Sequence, residues 1–148
     1  MLRQILVGSG ASVINVVIHA LLTVTTIRVA RIMAGKNTRY PWRHLTGMMI
    51  ATVLVLMSAH MVEIFVWSVI YAVVNAAPEG SDLFYFAFVN YATLGYGDIT
   101  PIARWRLLGP MTGMNGALLF GWSTAVIFEV LRKTIATQES LVLAAKGD

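Results

Sequence analysis

Polar and apolar positions divide this chain into three long apolar runs. The first, Ile5 to Ile27, exceeds the ~20 helical residues that a bilayer core requires. Within it Ser12, Asn15, His19, Thr23 and Thr26 recur at steps of three and four, which lines them along one face of a helix. Such a stripe is costly against lipid, so the pattern predicts a helix whose polar face meets protein. The second run, Leu45 to Ala77, would form a helix ~50 Å long, so it tilts in the membrane or projects from it. Pro78 and Gly80 then break the pattern, and Asp82 opens a short aromatic stretch in which a helix N-terminus favours its charge. Thr100-Pro101 ends the following extended segment. The third run, Leu107 to Leu131, closes on Arg132 and Lys133, cations suited to a helix C-terminus.

Composition turns these runs into membrane spans. Of the 148 residues, 57% are hydrophobic and 12% charged, too few polar residues to cover a soluble domain. The net charge of +4 is not spread as a nucleic-acid-binding surface would be. Arg28, Arg31, Lys36, Arg39 and Arg43 fall together with no acid among them, beside the headgroup-level residues Tyr40 and Trp42. A juxtamembrane cluster of this kind is expected on the cytoplasmic side, which puts the N-terminus outside and the C-terminus in the cytoplasm of a multi-pass plasma (inner) membrane protein. Only Arg3 precedes the first run, so no cleavable signal is read there. With no cysteine, disulfides and thiolate metal sites are excluded.

The stretch Ser81 to Pro101 carries the most specific signal. Its centre reads Thr93-Leu94-Gly95-Tyr96-Gly97-Asp98. The two glycines can take backbone angles closed to other residues, so the strand can turn successive carbonyl oxygens to one side. Four copies around an axis would stack rings of oxygens able to replace the water shell of a potassium ion, with the Thr93 hydroxyl as the innermost ring. The segment resembles the pore signature of the potassium channel family, T-x-x-T-x-G-Y-G. Thr93 and Gly95-Tyr96-Gly97 match strictly, and Asp98 matches the acid that usually follows. Asn90 stands where the pattern has threonine, Leu94 where valine is commoner, and Val89 where many members carry an acid that pairs with the aspartate. That pair is therefore expected to be absent, leaving Asp98 to water, Trp105, Arg104 or Arg106.

The resemblance implies an all-α membrane fold with three transmembrane helices per subunit. An N-terminal helix (1–31) and a basic cytoplasmic loop (32–44) would precede a pore domain (45–133), with a short cytoplasmic tail (134–148) after it. The pore domain would hold an outer helix (45–77), a re-entrant pore helix (82–92), a filter (93–98) and an inner helix (107–131). The resemblance further implies a homotetramer in lipid, passive conduction and no enzymatic activity, with K+ held at Thr93, Leu94, Gly95 and Tyr96 as the transported ion. Gly97 would complete the mouth, and Asp98 and Asn90 would support the filter. A non-selective cation channel and a non-conducting regulatory membrane subunit are the competing readings, alongside a potassium-uptake translocase of fused repeats; this chain has a single repeat and an intact Gly-Tyr-Gly. No organic cofactor or nucleic acid is implied.

Two further groups of residues carry candidate chemistry. Gly113, Gly116 and Gly121 either hinge the inner helix as a gate or let helices approach closely. Glu129 either rings the inner mouth or pairs with Arg132 or Lys133. His60 and Glu63 lie three apart on the second helix, with Glu63 ~27 Å from Leu45 and so near mid-membrane, where ionisable groups face protein or water. His19 sits on the polar stripe at comparable depth. Pairing of His19, His60 and Glu63 would make an interhelix clamp, a proton-sensitive gate, or a metal site if its ligands meet across two helices.

Overall fold

A computed structural model describes residues 1–34 and 40–147. The order is α1 (Leu2–Ala34), α2 (Pro41–Val74), α3 (Leu83–Tyr91), a 3₁₀ turn (Ala103–Trp105) and α4 (Leu108–Gly147). The protein is all-helical, and there is no strand among the described residues. Leu2–Met33, Trp42–Val74 and Ala103–Ser140 are long and apolar enough to cross a membrane. Of the basic loop, residues 32–34 extend α1 and 41–44 open α2. Lys36 and Arg39 lie outside the described residues.

Helix ends follow from local chemistry. Proline at the first position of α2 removes an N–H that has no intrahelical partner there. At the other end Asn75 turns left-handed, with φ 51°. The Ala76 N–H then reaches the Tyr71 carbonyl at 2.9 Å and the Asn75 N–H the Ala72 carbonyl at 3.2 Å. This paired closure satisfies two orphan carbonyls, so α2 stops at Val74 rather than running on to Ala77. α3 is capped by Asp82, whose side chain accepts the Tyr85 N–H at 3.0 Å. Ile102 N–H bonds the Ala76 carbonyl at 2.8 Å and ties the segment after α3 back to the end of α2.

The segment expected as a tail is helical as far as Gly147. α4 continues past Leu131 to Gly147. No glycine or proline interrupts residues 132–144, and Glu129 bonds Arg132 and Lys133 one turn on. The hydroxyls of Thr134 and Thr137 close onto the carbonyls of Val130 and Lys133.

The chain divides into two compact units. One joins Met1–His19 to Ala59–Gly121, with a core of Ala11, Ile64, Trp67, Tyr71, Phe86, Tyr91 and Leu108. The other joins Ala20–Ser58 to Trp122–Asp148, with a core of Met48, Leu56, Val126 and Val130. All the residues of the candidate site except Glu129 belong to the first unit.

Candidate functional site

The segment after α3 has an unusual backbone. Thr93, Gly95 and Gly97 have φ of 59°, 61° and 77°, whereas Leu94 and Tyr96 between them do not have positive φ. Glycine tolerates these angles, but a β-branched threonine does so only at a cost of ~1–3 kcal/mol. The end of α3 fixes Thr93 there. Its N–H bonds the Asn90 carbonyl and the Leu94 N–H bonds the Val89 carbonyl, both at 3.0 Å, the same paired closure that ends α2. Alternation of left- and right-handed residues turns successive N–H groups to one side of a chain and the carbonyls to the other. Residues 93–98 are all exposed, including the side chains of Leu94 and Tyr96.

Asp98 closes this segment against the start of α3. The Tyr85 hydroxyl donates to its carboxylate at 2.7 Å. That charge-assisted bond holds the Asp98 carboxyl below its ordinary range and raises the Tyr85 phenol. Among the described residues Tyr85 is thus a side-chain partner of Asp98. The Asn90 side chain donates to the Phe86 carbonyl at 3.0 Å and to the Tyr71 hydroxyl at 3.4 Å.

α4 brings its glycines against the end of α3. A methyl on Gly113 would lie 3.2 Å from the Asn90 carbonyl oxygen, and one on Gly116 would collide with the Tyr91 carbonyl oxygen. These two positions give the helix its close approach. Gly121 has no neighbour of this kind. Glu129 pairs with Arg132 and Lys133 on its own helix.

Polar groups converge on Glu63, which is fully buried. His19 Nδ1 lies 2.9 Å from Oε1, and His60 Nδ1 lies 2.9 Å from Oε2. The Tyr91 hydroxyl donates to Oε2 at 2.5 Å and stands 3.0 Å from His60 Nδ1. Asn15 continues the network. Its amide donates to the Glu63 carbonyl and to the Asn115 side-chain oxygen, both at 3.1 Å, and Trp67 Nε1 donates to that same oxygen at 3.0 Å. The Gln4 side-chain oxygen accepts the Leu107 N–H at 2.9 Å. Asn15 and His19 on the polar face of α1 thus bond α2 and α4, and Gln4 bonds the residue just before α4.

A sequence model of the family described as "Ion channel" matches residues 59–133, just over half of the chain. The chain belongs to the ion channel family. It is a pore-forming subunit of a multi-pass membrane channel. No curated protein and no solved structure matches it. The matched span takes in the second half of α2, α3, residues 93–98 and α4 as far as Lys133, while α1 lies outside it.

In this channel subunit the structure brings His19, His60 and Glu63 together and leaves Glu129 with its helical neighbours. The partners of two tyrosines, Tyr85 and Tyr91, escaped the sequence. Tyr85 and Asp98 are 13 residues apart, and only closure of the loop between them makes a pair. Tyr91 offered one signal, a hydroxyl in an otherwise apolar stretch of α3, but nothing in the spacing directs it to Glu63.

Proposed function

We propose that this subunit forms a potassium-selective pore, with Thr93, Leu94, Gly95, Tyr96 and Gly97 as its filter. The observation that carries this reading is the alternating sign of φ along residues 93–97. A chain of that form presents a column of carbonyl oxygens without side chains between them, the ligand set that replaces the hydration shell of K+. α3 acts as the pore helix, its C-terminal, partly negative end favouring a cation at the base of the column. Asp98 and Tyr85 hold the outer end, and Asn90 supports the filter indirectly through Tyr71.

One chain supplies one side of a carbonyl ring, so the conducting species is a homotetramer. The exposure of Leu94 and Tyr96 in a single chain fits a segment covered by neighbouring copies. The positive cluster between α1 and α2 faces the cytoplasm, so α2 runs outward, residues 93–98 line the outer mouth and α4 returns inward. Conduction is passive and the cargo is K+.

Glycine variants test the filter. Gly95→Ala and Gly97→Ala put a methyl on residues with φ of 61° and 77°, while among the described residues, chain neighbours aside, nothing lies within 4 Å of either methyl. Both variants should insert and assemble but lose K+ over Na+ discrimination in reconstituted vesicles. Unchanged selectivity in both would refute the assignment, and equal K+ and Na+ flux in the unmodified protein would mark a non-selective cation pore.

A further inference from the structure

We propose that His19, His60, Glu63 and Tyr91 form a binding site for one divalent transition-metal ion of the zinc type, a site separate from the conduction path. The requirement that the ligands meet across helices is satisfied. Two imidazole nitrogens, a carboxylate and a phenol oxygen arrive from α1, α2 and α3, and the histidine and glutamate ligand atoms all lie within 4.8 Å of one another. His60 Nδ1, Glu63 Oε2 and the Tyr91 hydroxyl form a triangle with edges of 2.9, 3.0 and 2.5 Å. Tetrahedral ligands at bonds of ~2.0–2.1 Å stand ~3.3 Å apart, so each edge opens by less than ~1 Å to admit the ion.

Charge makes the same demand. Glu63 is fully buried, and among the described residues its ion-pair partners are the two histidines alone. A buried carboxylate needs a compensating positive charge; among the described residues no lysine or arginine pairs with it, so a protonated histidine or a bound cation has to supply it. Two imidazoles with one carboxylate and one phenolate suit zinc, copper or cobalt; magnesium and calcium prefer six or more oxygens. On loading, both coordinating Nδ1 atoms must be free of a proton, a protonated imidazole releasing one to solvent and a neutral one carrying its proton on Nε2, and the Tyr91 phenol releases its proton to solvent. A divalent ion is then neutralised by one carboxylate and one phenolate, and the site is uncharged in its apolar surroundings. The His60 side chain is 12% exposed and offers the approach. The ion would tie α1 and α2 to Tyr91, two residues before Thr93.

The chain has three histidines and no cysteine, so replacing His44 leaves the two cluster histidines as the only imidazoles. The test uses full-length His44→Ala protein in detergent, stripped with chelator and titrated with Zn2+ and with Co2+. The expected result is one ion per chain, unaffected by excess Mg2+, with the intense visible absorption of four-coordinate Co2+ and an X-ray absorption shell of nitrogen and oxygen only. Glu63→Gln and His60→Ala should weaken binding at least ten-fold, and Tyr91→Phe should weaken it less. Because those variants remove bonds between helices, the spectra of the otherwise unmodified site decide the matter if they fail to fold. Absence of stoichiometric Zn2+, or a six-coordinate Co2+ spectrum, would overturn the proposal, as would equal binding in a folded Glu63→Gln protein.

Discussion

Tyr85 and Asp98 show how a single pair can tie one end of the proposed filter segment to α3. Both side chains are exposed, so the bond works by geometry rather than by burial. The Asp98 carboxyl is depressed in the folded protein, so its contribution is complete above its ordinary value, near pH ~4, and is lost as pH falls through the lower folded value. The Tyr85 phenol is raised, so its contribution is complete below pH ~10 and is lost only as pH rises through the folded value. Flux should therefore be insensitive to this pair between those limits. Tyr85→Phe removes the donor, and the midpoint of loss of flux under external acid should move to higher pH. An identical acid profile in the variant would show that the bond does not support the mouth. The sequence made the need for a partner legible, since Val89 supplies no acid, but the partner itself depended on a closure 13 residues long. Glu63 and His60 were legible as a costly mid-membrane pair from their spacing alone. The fourth member, Tyr91, was not, because its direction depends on how α3 lies against α2.

Helices in this subunit are held close by small residues and closed by local caps. The case that decides between hinge and contact is Gly116. Alanine in a helix interior ordinarily gains ~1 kcal/mol over glycine. Here the added methyl meets the Tyr91 carbonyl oxygen, a backbone atom that no rotamer change can move away. Overpacking of that kind costs ~1–3 kcal/mol, so the contact outweighs the propensity. Gly116→Ala should lower thermal stability in detergent, whereas Gly121→Ala, open within its own chain, should leave it within ~1 kcal/mol of the parent. Equal melting temperatures for the two variants would contradict the contact. Element types were readable because period and length agreed at every long run. Boundaries were less so. Asn75 ended α2 three residues before Ala77 through a left-handed closure, and the absence of glycine and proline in residues 132–144 let α4 run on into the tail segment.

At the scale of the whole molecule, the matched channel span begins within α2, and α1 stands outside it. α1 nevertheless spends Asn15 and His19 on polar groups of α2 and α4, which accounts for the centre of the periodic stripe, while Ser12 and Thr26 bond carbonyls of their own helix. The stripe announced a protein-facing surface, and the network shows what occupies it. The opposite condition holds at residues 93–98, which leave Leu94 and Tyr96 exposed; in the proposed homotetramer neighbouring copies would cover them. The most direct measurement of the central claim is ion flux through the purified protein in vesicles, with K+ and Na+ compared at equal driving force. The account predicts flux carried by K+ and excluded for Na+; equal passage of the two ions, or no flux from correctly inserted protein, would contradict it.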